Sequence, residues 1–288
     1  MSDRSLIADP SRWISDIITH YLDNSPENLL NPQTKERIWD VPLVGFACGD
    51  DPLFQEFRDH LGEDYLLPLG VMEKSYSEMS FCAEDLTVIS WILPVTEMTK
   101  TEYRRETRYP TKNWALTRIL GEGLNSNLRK FLVQSLQQEG YPSVAPFLSP
   151  AYTVTFEEGY PTRSLWSERH AAYACGLGTF GLCDGLITAK GKAMRCGSVI
   201  TTLSVPPSGR PYTTRNEYCP FLTDESCGMC IDRCPAEAIT QSGHDKVKCA
   251  AYLKTITEPY LFERYGIEGN ACGLCQIGVP CESGIPKR

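Results

Sequence analysis

Apolar residues repeat at helical spacing over Ile14, Ile17, Ile18, Tyr21 and Leu22, and Asp9-Pro10-Ser11 ahead of them supplies a capping carboxylate and a first-turn proline. Asn24, Ser25 and Pro26 close that helix. A buried strand is predicted over 41–47, followed by the turn Cys48-Gly49-Asp50-Asp51-Pro52, which starts another helix. Residues 86–93, LTVISWIL, form the clearest central strand, rich in β-branched and aromatic residues and stopped by Pro94. Residues 100–112 carry Arg104, Arg105, Arg108 and Lys112 and read as a solvated charged loop, with an anion site as the sharper alternative. A long amphipathic helix spans 116–138 with Leu124, Leu128, Leu132 and Leu136 on one stripe, and Gly140-Tyr141-Pro142 breaks it. Further strands are expected over 154–156 and 198–205. The alternation predicts an α/β domain with a mixed sheet, α+β being the alternative, and leaves strand order open. Pro206, Pro207, Ser208, Gly209 and Pro211 read as a linker between an α/β domain at 1–210 and a small domain at 211–288.

Charge and composition narrow the partners. The chain has 288 residues, a formal net charge of -8 and 13 cysteines. An acidic balance disfavours a broad nucleic-acid surface, because phosphate neutralisation needs concentrated Lys and Arg. No apolar run reaches membrane-spanning length, so no membrane partner is expected. Asp50 and Asp51 lack a third metal ligand nearby and read as a helix start.

The cysteines carry the strongest signal. Cys219-x7-Cys227-x2-Cys230-x3-Cys234-Pro235 precedes Cys249 and then Cys272-x2-Cys275-x5-Cys281. Eight thiols in two groups, with proline after the fourth, is the layout that wraps two [4Fe-4S] clusters in a ferredoxin-like domain. Four thiolates serve each cluster, and the cysteine before proline crosses to the other one. That rule places one cluster on Cys219, Cys227, Cys230 and Cys281, and the other on Cys234, Cys249, Cys272 and Cys275. An all-thiolate zinc site on the two C-x2-C pairs is the rival, but it leaves four cysteines without a purpose. Disulfides are the other, yet no signal-peptide pattern opens the sequence, which points to a reducing, cytoplasmic setting.

A second informative stretch runs from Trp166 to Gly181. Gly176, Gly178 and Gly181 spell G-x-G-x-x-G, but a helix over 168–174 precedes them where a dinucleotide fold requires a strand. The glycines instead end a helix and let backbone pass close to a cofactor or another element. Glu168, Arg169 and His170 are candidates for proton transfer or ligand anchoring, against a plain helix surface with a Glu-Arg pair. Cys175, Cys183 and Cys196 read as buried spectators, with an approach to the cofactor as the alternative.

These features together resemble the epoxyqueuosine reductases and the corrinoid-dependent reductive dehalogenases. The matching residues are Glu168-Arg169, the helix leading to Gly176-Leu177-Gly178, the strand at 182–188 and the cysteine run through Cys234-Pro235, Cys249 and Cys272-x2-Cys275. The resemblance implies a reductase with a corrinoid (cobalamin) on the N-terminal domain, held near Gly176, Leu177, Gly178, Thr179 and Gly181, and reduced through the two clusters. It also implies an external donor of ferredoxin or flavodoxin type and a small organic substrate. Thr162 stands where the queuosine branch carries an Asp proton donor, and a threonine hydroxyl is no acid near neutral pH, so turnover of a tRNA substrate is not expected. Rival readings are an electron-transfer or assembly protein without its own substrate, and a flavin-dependent reductase.

Overall fold

A computed structural model describes residues 7–287 apart from 32 and 34. Its centre is the strand Thr87–Pro94, buried along its whole length. The even residues Val88 and Ile92 face one core, and Ile89, Trp91 and Leu93 face another. A strand covered on both faces needs apolar residues at every position, which is why its sequence shows no alternation. Leu43–Cys48 pairs with one edge and Met194–Thr201 with the other, and the two-residue strand Ser143–Val144 adds to the far side. All pairings among the described residues are antiparallel. The mixed sheet expected from the strand-helix alternation is therefore corrected to an antiparallel one, the α+β alternative. Alternation in sequence implies parallel strands only if each helix crosses back over the sheet in the same sense.

Two helical layers cover this sheet. Helix Pro10–Asn24, with Asp9 accepting the Arg12 N–H as its cap, and helix Lys112–Gln138 close one face. Leu124, Leu128, Leu132 and Leu136 are all buried there. Helices Pro52–Leu61, Pro68–Ser75 and Glu168–Ala174 close the other face. Asp51 caps the first of these and pairs with Arg210 at 2.9 Å, in keeping with a helix start rather than a metal site. The sequence 154–164 does not join the main sheet but forms its own hairpin, Val154–Glu157 with Tyr160–Ser164.

Part of the expected charged loop is helical. Glu97–Tyr103 is a helix, Lys100 is buried with Nζ 2.7 Å from Ser283 Oγ, and Arg104 pairs with Glu97 and the buried Glu282. These charges are tied to the C-terminal segment rather than to solvent. That segment also lends Leu261, Ala271, Leu274 and Ile277 to the core beneath the long helix. The proline-rich stretch before it lies along the strand Leu43–Cys48, with the Ser208 N–H donating to Phe46 O at 2.9 Å.

Candidate functional site

The site lies where the sheet runs out of strand. Ser143–Val144 pairs only with Ile200 and Thr201, so the first half of Met194–Thr201 has no strand on that side. Its Cys196 carbonyl instead accepts from Asn125 Nδ2 at 2.9 Å and Arg129 at 3.1 Å, both on the long helix. Gly197 carries no side chain because the Trp91 ring occupies that space, and the indole N–H reaches Asn125 Oδ1 at 2.9 Å. Side chains of the long helix thus replace a missing strand, and a cavity of ≈ 370 Å³ opens beside them. It is lined by Arg118, Glu122 and Arg129 of that helix, by Glu168 and Arg169, and by Arg195 of the strand. A neighbouring cavity of ≈ 430 Å³ shares Arg118, Ser164, Ser167 and Arg169 with it, so the two form one trough.

Glu168 begins its helix at the trough wall, with Ser167 as N-cap. Its Oε2 accepts from Ser198 Oγ at 2.5 Å, and that hydroxyl in turn accepts from the Trp166 indole N–H at 2.9 Å. Oε1 faces Arg129 at 3.2 Å, and Arg129 also holds Glu122 at 2.9 Å. Burial raises the Glu168 carboxyl above its ordinary range, with Arg129 opposing. Arg169 donates to Asp184 O at 2.6 Å and lines both cavities. His170 is buried between the Phe57 and Phe180 rings, with Nδ1 2.8 Å from Ser167 Oγ and Nε2 without a partner among the described residues. Burial, and then Arg215 and Arg169, hold its pKa well below the usual value, so the imidazole is neutral. Thr162 lines the second cavity, as does Cys249.

The glycine run closes on protein. Gly176 has φ +80°, and a Cβ there would stand 2.6 Å from Gly209 O. A Cβ at Gly178 would stand 2.2 Å from Ile187 O, within the hairpin Gly178–Phe180 with Leu186–Thr188. Leu177 packs into the core, Thr179 Oγ1 accepts the Tyr218 N–H, and Gly181 lies against Ile187. None of Gly176, Leu177, Gly178, Thr179 and Gly181 lines either cavity of the trough.

The eight cysteines of the C-terminal segment are carried on short helices and turns. Cys219, Cys230 and Cys281 are buried; Cys227, Cys234, Cys249, Cys272 and Cys275 are half-buried. Cys249 sits on helix Lys246–Tyr252, and burial followed by the thiols of Cys272 and Cys234 pushes it up to about 12. Cys281 is raised by burial first, against the nearby Lys192 and with Cys183 and Cys219 close by. Cys272 lines a small third cavity together with Arg118 and Arg195, and the Tyr103 hydroxyl lies 4.0 Å from its sulfur. Among the described residues no three of Cys, His, Asp and Glu converge on one metal ion. A [4Fe-4S] cubane gives each thiolate its own iron, so its ligands stand farther apart than those of a single ion.

Cys183, read as a spectator, is no bystander in this arrangement. It packs in one cluster with Cys230 and Cys275, and Lys192 Nζ lies 3.2 Å from its sulfur. Lys192 is only 3% exposed, and a lysine so buried keeps its charge only beside anions. The group that does most to hold it charged is the Cys183 thiolate, with the sulfurs of Cys281, Cys275 and Cys230 around it. Such a donor set fits an anionic iron-thiolate centre. For a corrinoid the fit is one of lining: Arg118, Ser164, Ser167 and Arg169 offer donors along the trough to the amide carbonyls at the rim of the ring.

No protein-family model matches the chain. Over 125 residues it is 34% identical to an epoxyqueuosine reductase of Bacillus anthracis, an alignment that covers 41% of this chain and 30% of that protein. Over 115 residues it is 31% identical to a tetrachloroethene reductive dehalogenase of Desulfitobacterium hafniense, covering 39% and 20% respectively. Over these stretches the chain is similar to epoxyqueuosine reductases and to reductive dehalogenases alike. The matched region of these relatives is less than a third of their length. A solved catabolic reductive dehalogenase in complex with 3-bromo-4-hydroxybenzoic acid has the same fold over 96% of this chain and 37% of its own, with a TM-score of 0.52 at 13% identity. No described helix is long and apolar enough to cross a membrane.

The sequence reading missed Arg118, Glu122, Arg129 and Arg195. The first three stand four and seven residues apart on one face of the long helix, beside the leucine stripe. A polar row at core spacing was the available signal.

Proposed function

We propose that the chain is an iron-sulfur reductase that passes electrons through two [4Fe-4S] clusters to a small organic substrate in the trough. The observation that carries this reading is that Cys249 opens onto the cavity lined by Arg169 and His170. The set Cys234, Cys249, Cys272 and Cys275 would then hold the cluster nearer the substrate. The set Cys219, Cys227, Cys230 and Cys281 would hold the farther one, which takes electrons from a ferredoxin- or flavodoxin-type donor. A corrinoid bound along the Ser164 and Ser167 wall of the trough would supply low-valent cobalt, which can cleave a carbon-oxygen or carbon-halogen bond reductively.

The chain's own groups have separate tasks in this reading. Glu168, with its raised pKa, retains a proton closer to neutrality than an ordinary carboxyl and is the proton donor; Ser198 and Trp166 fix its orientation. Neutral His170 cannot donate a proton as an imidazolium and shapes the wall instead. Thr162, at the cavity where the resemblance places an acid, leaves that task to Glu168. A solved epoxyqueuosine reductase carries a tRNA stem loop. For this chain, with its net charge of -8, we propose a small molecule rather than tRNA.

Anaerobic purification followed by iron, sulfide and cobalt quantification tests the reading. About eight iron and eight sulfide per chain are expected, with cobalt retained through gel filtration after incubation with cobalamin. Zinc in place of iron would overturn the reductase. Full iron without cobalt under reducing and oxidising conditions alike would remove the corrinoid and leave the clusters.

A further inference from the structure

The trough holds more positive charge than its own carboxylates can answer. Arg118, Arg129, Arg169, Lys192 and Arg195 line the ≈ 370 Å³ cavity against Glu122 and Glu168. Arg129 takes up both carboxylates, at 2.9 and 3.2 Å, and Lys192 is engaged by the thiols. Of the remaining three, Arg195 stands 3.6 Å from the same Glu122, too far for a hydrogen bond. Arg118 donates to Asn270 O at 3.0 Å and Arg169 to Asp184 O, and neither pairs with a carboxylate among the described residues. Arg118 and Arg169 thus face one cavity without a carboxylate partner among the described residues, and Arg195 has only a share of the Glu122 that Arg129 already holds, in a protein whose net charge is -8. Burial, and then the charge of Arg118, push Arg195 down to about 10. Like charges are gathered in this way where an anion is to be received, because planar guanidinium forks match carboxylate and phosphate oxygens.

We propose that Arg118, Arg169 and Arg195 form an oxyanion site, and that the substrate of this reductase is a small organic acid whose carboxylate or phosphate docks there. The proposal rests on the reductase reading and names its substrate class. The site lies beside Glu168, so a bond held by its acid group at the three arginines would lie within reach of the proton donor. It also lies beside Cys272, which shares the small third cavity with Arg118 and Arg195. A second source of the same oxygens is the phosphodiester of a nucleotide-bearing corrinoid.

Titration calorimetry with benzoate and with inorganic phosphate, at constant chloride and ionic strength, tests the site directly. Saturable binding of at least one probe is expected. Arg195→Met should weaken it about tenfold or more, in line with loss of one charge-assisted hydrogen bond, and Arg195→Lys should retain part of it. Arg210→Met, at the distant pair with Asp51, should leave it unchanged. Retention of cobalamin is compared with that of cobinamide, which lacks the phosphodiester. If Arg195→Met loses cobalamin but keeps cobinamide, the site belongs to the cofactor and the substrate assignment is overturned. No saturable binding to the wild type, or equal binding by Arg195→Met, overturns the oxyanion site itself. The reductase reading fails separately, on the iron count, and leaves the anion titration standing.

Discussion

Two stripes run along the helix Lys112–Gln138, a quarter-turn apart, and they are built on opposite principles. Leu124, Leu128, Leu132 and Leu136 are each 0–1% exposed and press hydrocarbon against the sheet. Arg118, Glu122, Asn125 and Arg129 stand beside them, and Arg129 is as deeply buried as any leucine. The leucines need only apolar neighbours of the right volume. The polar row needs named partners: the Cys196 carbonyl, the Trp91 indole, Glu168. One stripe makes the fold, and the other completes the unpaired half of a strand and thereby opens a site. The same helix can do both because burial is favourable for a polar group once its hydrogen bonds and charge are answered.

Breaking the polar row should cost most. Arg129→Met leaves Glu122 and Glu168 facing each other without their shared cation, and a loss of about 3–5 kcal/mol is expected from removal of one member of a buried pair. Urea unfolding should show it, with the m-value unchanged. Breaking the apolar row at the adjacent position should cost about 2–5 kcal/mol: Leu128→Ala opens a cavity under the sheet without disturbing any charge. Arg129→Met should alter anion binding in the trough, and Leu128→Ala should not, which separates site from scaffold.

The pH dependence sharpens the contrast further. Burial raises the Glu168 carboxyl, so the folded state binds its proton more tightly than the unfolded chain does. The stability this contributes is fully present below the ordinary carboxylate range and is lost as pH rises through the folded value. Glu168→Gln does not titrate there. As pH rises above the ordinary carboxylate range, the melting temperature of Glu168→Gln should therefore rise relative to wild type. A constant difference would mean that the folded protein binds this proton no more tightly than the unfolded chain, so that the carboxyl is not raised. The smallest effect is expected far from the trough: Arg210→Gln removes a partly exposed pair with Asp51, for about 0.2–1 kcal/mol.

The apolar stripe, the Asp9-Pro10 helix start and the central strand were legible in the sequence because periodicity and capping are local. Strand direction was not, since LTVISWIL reads the same in a parallel or an antiparallel sheet. The helix Glu97–Tyr103 was hidden for another reason: Lys100 and Arg104 find Ser283 and Glu282 some 180 positions away, and without those partners they read as a solvated loop. At the site, spacing singled out the cysteines, and the resemblance singled out Glu168, Arg169 and His170. Neither gave a hint that Cys183 lies against Cys230 and Cys275, or that Arg195 faces Arg118. Those are contacts between elements, and only the folded chain brings them together.

The central proposal is that one cluster faces the trough and the other stands behind it. Low-temperature EPR of the anaerobically reconstituted, dithionite-reduced protein tests this most directly, using single serine replacements. Cys234→Ser and Cys272→Ser should perturb one shared signal, and addition of cobalamin or of an anion that binds the trough should perturb the same one. Cys227→Ser and Cys281→Ser should perturb the other signal, which the ligands leave unchanged. If Cys281→Ser groups with Cys272→Ser, or if trough ligands move the Cys227/Cys281 signal alone, the placement of the two clusters is wrong.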